Sequence, residues 1–277
     1  MKYFCFLPLI LACCTLLANS DQQALNAAES VIYKETDTRS LKLQLFKPEG
    51  WLADQRRPAI VFFFGGGWNS RHITQFVAYA KYYAQQGFVC FIADYRVRST
   101  DDTRVVDSVE DAQDAFAYVR AHAEGFGVDA EKIASAGGSA GGHLAAVLGT
   151  VKDLRNDDLS VPNAMILFNP VLVFDPEKSD KWYAKAHFVG TDPLSLSPLH
   201  QITSSVPPTI IYHGTADKTV PFASAERFHQ AMLKAGLQST LIPFRGRGHG
   251  FFNGGKHLPD SDYKRTLEYT DAFLQEI

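Results

Sequence analysis

A chain of 277 residues, 46% hydrophobic and 21% charged, holds enough apolar material for one large domain with a core of its own. Twenty Phe and 11 Tyr exclude an intrinsically disordered chain, and a formal net charge of -3 excludes the basic excess of a nucleic-acid binder. A small molecule or a polysaccharide is the expected partner.

The first 20 residues read as an export signal. Lys2 supplies a positive start, residues 4–17 are almost uninterruptedly apolar, and Ala18-Asn19-Ser20 offers small residues for cleavage. Residues 1–20 are therefore expected to be a signal peptide and 21–277 the folded domain, delivered to the periplasm or the exterior. The apolar run is shorter than the roughly 20 residues that cross a bilayer, so no transmembrane span is expected. Cys13, after Ile10-Leu11-Ala12, offers lipoprotein processing as the alternative, which would leave a lipid anchor. Cys5, Cys13 and Cys14 all lie in this segment, so Cys90 alone belongs to the domain and no intramolecular disulfide is expected there. Its place in an apolar run makes it a buried strand residue.

Alternating residues over 30–34 and 41–46, joined by Asp37-Thr38-Arg39-Ser40, predict a hairpin. Apolar runs at 59–64, 88–93, 133–136, 164–168, 209–212 and 240–244 predict strands buried on both faces, as in a parallel sheet. Helical stripes separate them: Ile73, Phe76, Val77, Ala80 and Tyr83, stopped by Gly87; Val109, Ala112, Phe116 and Val119; and Tyr263, Leu267, Thr270 and Leu274. The pattern implies an α/β fold, a mostly parallel sheet with helices on both faces. Residues 171–206, with Pro176, Pro193 and Pro198, form the one long irregular stretch. It is expected to be a short cap or rim with Trp182, Tyr183 and Phe188 as wall residues, or else to pack on the domain's own surface.

Gly137-Gly138-Ser139-Ala140-Gly141 fits G-x-S-x-G and sits between a predicted strand and a helical stretch at 143–150. A serine hydroxyl is a poor nucleophile, so it must stand on a tight turn within reach of a base, and flanking glycines permit that backbone. With Phe64-Gly65-Gly66-Gly67-Trp68, with His213-Gly214-Thr215-Ala216-Asp217-Lys218-Thr219-Val220-Pro221 and with Gly248-His249-Gly250-Phe251, this motif resembles the α/β-hydrolase superfamily. Within it, the resemblance is to esterases and lipases with an HGGG-type loop, carboxylesterases and carbohydrate acetylesterases included. It covers essentially all of 21–277, with Phe64 in place of the usual His, where packing is expected to replace polar bracing.

The resemblance implies an α/β-hydrolase fold with a short cap, and a Ser139, Asp217, His249 triad in the family's chain order. It also implies an oxyanion hole from the backbone N–H groups of Gly66, Gly67 and Ala140. Asp175, beyond another strand, is the alternative carboxylate. Trp68, Asn69 and Tyr95 are candidate substrate contacts, while Asp94 and Arg96 read equally well as a pair that holds loops. His143 and His213 read as packing and hydrogen-bonding residues, and His72, His122, His229 and His257 as structural or exposed. No histidine pair has metal-ligand spacing, and neither metal nor cofactor is expected.

The expected function is an exported serine esterase of short-chain carboxylic esters, working through an acyl-enzyme. Deacetylation of carbohydrates and general carboxylesterase action both fit. The alternatives are a prolyl-oligopeptidase-like serine peptidase and a catalytically inactive binding protein on the same scaffold. The sequence carries no signal for oligomeric state.

Overall fold

The structure, a computed structural model, describes residues 20–152, 158–175, 186–255 and 261–276. Residues 1–19 of the expected signal, Cys13 among them, and Trp182, Tyr183 and His257 lie outside the described residues.

Among the described residues, eight strands form one sheet in the order β1-β2-β4-β3-β5-β6-β7-β8. They are β1 (Glu29–Glu35), β2 (Ser40–Phe46), β3 (Arg57–Phe63), β4 (Val89–Ala93), β5 (Val128–Gly138), β6 (Ala164–Phe168), β7 (Thr209–Gly214) and β8 (Ser239–Phe244). The hairpin strands β1 and β2 run antiparallel, β2 joins β4 antiparallel, and every pairing from β4 through to β8 is parallel. Every residue of β4 and β6 is buried, as near-continuous apolar runs require. In β2 only Leu41, Leu43 and Leu45 are buried, the alternation of a strand with one wet face. Cys90 sits fully buried in β4, where burial pushes its thiol pKa up, away from nucleophilic use.

Helices α1 (Val77–Gln85), α2 (Val105–Ala121), α3 (Ala140–Thr150), α4 (Phe222–Lys234) and α5 (Asp262–Gln275) pack around the sheet. Three expectations need correction. Strand β8 is not buried on both faces: it lies at the sheet edge, and of its residues only Phe244 is buried. The first stripe begins its helix at Val77; Ile73 and Phe76 are buried in the turn before it. Helix α4 was not anticipated, although Ala225, Phe228 and Met232 form its buried stripe at spacings of three and four. The stretch 186–206 forms short helical turns, Ala186–Val189, Pro193–Leu196 and Pro198–Gln201. No helix of the described residues is long and apolar enough to cross a membrane.

Parallel strands deliver their following loops to one rim. The turns after β3, β5, β6, β7 and β8 carry the glycine loop, Ser139, Asn169, Asp217 and His249 respectively, so distant segments meet beyond the carboxyl ends of the sheet.

Candidate active site

Ser139 sits between β5 and α3 with φ 55° and ψ -118°, a backbone conformation that side chains rarely adopt and that costs on the order of 1–3 kcal/mol. The surroundings over-determine it. Its N–H donates to the Phe168 carbonyl at 2.9 Å, and its own carbonyl accepts from the His143 and Val171 amides. Gly141 lets α3 approach β3 this closely, since a Cβ there would lie 2.1 Å from the Phe63 carbonyl oxygen.

The imidazole of His249 lies between Ser139 and Asp217. His249 Nε2 lies 2.9 Å from Ser139 Oγ, and His249 Nδ1 lies 2.7 Å from Asp217 Oδ2. Asp217 Oδ1 accepts the amides of Thr219 and Val220 at 2.8 and 3.0 Å. The fully buried His213 points Nε2 at the Val220 carbonyl, 2.9 Å away, and at Asp217 Oδ2, 3.3 Å away. Burial alone would push the Asp217 carboxyl up. Hydrogen bonds from His213, His249 and the Val220 amide more than offset it and hold the group well below the usual carboxylate range. An anion at Oδ2 fixes the proton of His249 on Nδ1, which leaves Nε2 free to accept the serine proton. The carboxylate that meets the imidazole is thus Asp217 and not Asp175.

Opposite stands the glycine loop. Gly66 has φ 132° and Gly67 φ 64°, and the Gly66 carbonyl accepts the Asn69 and Ser70 amides, folding the loop into a tight turn. The backbone N–H groups of Gly66, Gly67 and Ala140 have no hydrogen-bond partner among the described residues. Gln75 braces the loop by accepting the Gly65 amide at 2.6 Å. Phe64 is fully buried and its ring stacks on Tyr95, centroids 4.1 Å apart.

Tyr95 therefore does not stand where a substrate contact was expected. It is fully buried, absent from the cavity wall, and its hydroxyl donates to the Phe64 carbonyl at 2.6 Å, beneath the loop. Asp94 and Arg96 do not pair with each other either. Asp94 takes a two-pronged bond from Arg71 at 2.8 and 2.9 Å and a further one from Arg39, whereas Arg96 grips Asp111. Arg71 thus ties the end of the glycine loop to the end of β4.

Between these walls lies a cavity of about 600 Å³. Trp68, Val171, Phe188, Val220 and Phe252 supply apolar lining, and Asn69, His72, Gln75 and Asn253 supply polar groups, with Ser139 and His249 between them. Trp68 stands edge-on to His143 and Phe174, with Phe188 at 6.1 Å. Phe188 is the cap residue whose expected place at the wall the structure shows. His72 is exposed at the rim; His122 stacks on Tyr118, and His229 bonds to Ser239.

Sequence reasoning missed Asn169 and Gln75. Asn169, buried at φ 34°, bonds through Oδ1 to the Gly250 amide, next to His249. Its signal was an Asn-Pro pair ending an apolar strand, ordinary turn punctuation that names no partner.

Residues 43–232 match the BD-FAE family. A thermophilic esterase from Thermogutta terrifontis, solved with propionate bound, is 46% identical with a TM-score of 0.84, over 91% of this chain and 95% of that one. Esterase LipC of Mycobacterium tuberculosis is 30% identical over 217 residues, 70% of this chain and 53% of LipC. An acetylxylan esterase of Xylanibacter ruminicola is 30% identical over 202 residues, 70% of this chain and 38% of that protein. This chain thus spans about half the length of LipC and less of the acetylxylan esterase. With residues 43–232 matched and a close structural likeness to an esterase, the chain belongs to the BD-FAE family, among the esterases of the α/β-hydrolase fold.

Proposed function

We propose that the protein is an exported serine esterase that hydrolyses short-chain carboxylic esters through Ser139, His249 and Asp217. The observation that carries this reading is the unbroken hydrogen-bonded chain from Ser139 Oγ through both ring nitrogens of His249 to Asp217. His249 takes the serine proton as Oγ attacks the ester carbonyl, and the carbonyl oxygen becomes an anion. The amides of Ala140, Gly66 and Gly67 face that charge, and loss of one such donor costs on the order of 100- to 1000-fold in rate. His249 returns the proton to the leaving alcohol, and an acyl-enzyme remains. Water then attacks under the same base, and the acid departs.

Two features favour short acyl groups. The Trp68 and Phe188 walls bound the cavity, and the T. terrifontis esterase holds propionate. The polar rim of Asn69, His72, Gln75 and Asn253 suits a hydroxyl-rich alcohol portion, and a named acetylxylan esterase is among the relatives, so acetylated carbohydrate is the substrate to try first. Export rests on the composition of residues 1–20.

A fluorophosphonate should label the purified protein and fail to label Ser139→Ala, and turnover of p-nitrophenyl acetate should exceed that of long-chain esters. Absence of labelling would leave a binding protein on a hydrolase scaffold. Release of acetate from acetylated xylan tests the carbohydrate reading. N-terminal sequencing of the protein recovered from the periplasm or medium should begin at residue 21, while a lipid-modified Cys13 would point to the anchor instead.

A further inference from the structure

Among the described residues that line the cavity, Arg98 carries the one fixed charge, and none of them is an Asp or Glu. The arginines around it spend their charge inside the protein: Arg71 and Arg39 on Asp94, Arg39 also on Asp101, and Arg96 on Asp111. Arg98 makes no ion pair among the described residues, although its chain neighbours include these carboxylates.

Its position is nonetheless built. The Arg98 amide donates to the Trp68 carbonyl at 2.9 Å, and the Ser99 amide donates to the Asn69 carbonyl at 3.1 Å, so this segment is stitched to the glycine loop. The carboxylate that could most readily have claimed the side chain, Asp101, is taken by Arg39, Thr38, Thr100 and the Val97 amide. The Arg98 guanidinium lies over the ring of the buried Phe188, 6.0 Å from its centroid, which places it against a wall of the same cavity. A guanidinium resting on an aromatic face keeps its N–H fork free, the geometry that takes a carboxylate through two parallel bonds. In a chain of net charge -3 this is a local positive spot on the cavity that Ser139 also lines.

Resting on the esterase reading above, we propose that Arg98 makes the cavity selective for esters that carry a carboxylate on their acyl or their alcohol portion. The carboxylate pairs with the guanidinium while the ester carbonyl lies between Ser139 and the glycine-loop amides.

Two substrate pairs separate the two sources of the charge: p-nitrophenyl hemisuccinate against p-nitrophenyl butyrate for the acyl side, and p-carboxyphenyl acetate against phenyl acetate for the alcohol side. Dividing kcat/KM of the anionic ester by that of its neutral partner, and comparing wild type with variants, cancels intrinsic reactivity. Arg98→Gln should lower this ratio on the order of tenfold for one pair, with Arg98→Lys between. Added NaCl should shrink the wild-type ratio and leave that of Arg98→Gln in place. Equal ratios in wild type and Arg98→Gln for both pairs would overturn the proposal. Failure of the wild type on every ester, neutral ones included, would instead sink the esterase reading. In that case calorimetric titration of Ser139→Ala with monomethyl succinate against methyl butyrate, and with p-carboxyphenyl acetate against phenyl acetate, still decides the point: tighter binding of either anion, lost when Arg98→Gln is added, supports the subsite, and equal binding within both pairs rejects it.

Discussion

Oδ1 of Asn169 accepts the Gly250 amide at 3.1 Å, which ties the loop carrying His249 to the strand end behind Ser139. The residues on either side complete the clamp, since the Phe168 carbonyl accepts the Ser139 amide and the Val171 amide donates to the Ser139 carbonyl. The Asn169 amide itself donates to the Tyr212 carbonyl at 2.7 Å. One short segment thus sets both ends of the hydrogen bond between His249 and Ser139. Asn169→Ala should lower kcat on p-nitrophenyl acetate about tenfold with little change in KM, because geometry at the reacting atoms is lost while the cavity stays. Wild-type kcat in this variant would mean that the His249 loop holds itself.

Asp217→Asn removes the anion that fixes the His249 tautomer and leaves His213 facing an amide. A fall in kcat on the order of ten-thousandfold is expected, as for the same change in other serine hydrolases. Asp175→Asn should stay within a few-fold of wild type. Steady-state kinetics of the two variants side by side make the check, and the reverse order would name the wrong carboxylate.

Tyr95→Phe keeps the ring stacked on Phe64 but strips the hydroxyl from a buried carbonyl. An acceptor left unsatisfied there costs about 1–3 kcal/mol, which thermal denaturation reads as a fall of about 2–4 °C per kcal/mol in a chain of this size. Because Phe64 directly precedes the glycines, kcat should fall as well while KM for a small ester holds. An unchanged Tm would show that the carbonyl finds another donor.

His143 lies fully buried beside Trp68 and Phe174 with Nε2 on the Leu196 carbonyl at 2.8 Å. Burial pushes its imidazole from 6.5 down to about 4, against the opposing pull of that carbonyl. Between these values the unfolded chain takes up a proton that the folded chain refuses. Stability is therefore lost as pH falls from 6.5 towards 4, by up to about 3 kcal/mol, and is regained as pH rises. Melting curves across that range should slope downward towards acid in the wild type and flatten in His143→Gln. Equal slopes would remove His143 as the cause. The window of Asp217 lies lower, since its depressed pKa makes its contribution present above the ordinary carboxylate value and lost only in stronger acid.

Much of this protein is written in short stretches of chain. Apolar runs placed the six parallel strands β3 to β8, and Ser139 stood out because its constraints are local: the residues that make its turn possible, Gly137, Gly138 and Gly141, lie within two positions of it. His249 and Asp217 were singled out through the stretches 248–251 and 213–221 that resemble the α/β-hydrolase family. Other features depend on partners that sequence spacing does not reveal. Asn169 and Gly250 are 81 residues apart, Arg71 and Asp94 are 23 apart, and neither pairing leaves a mark on its own segment. Tyr95 shows the reason most plainly. At the end of a strand, alternation decides which face a side chain takes, but only the path of the neighbouring loop decides whether that face looks into a cavity or lies beneath a roof. Local backbone chemistry fixed where Ser139 stands, and the packing of distant loops over one sheet edge decided what surrounds it.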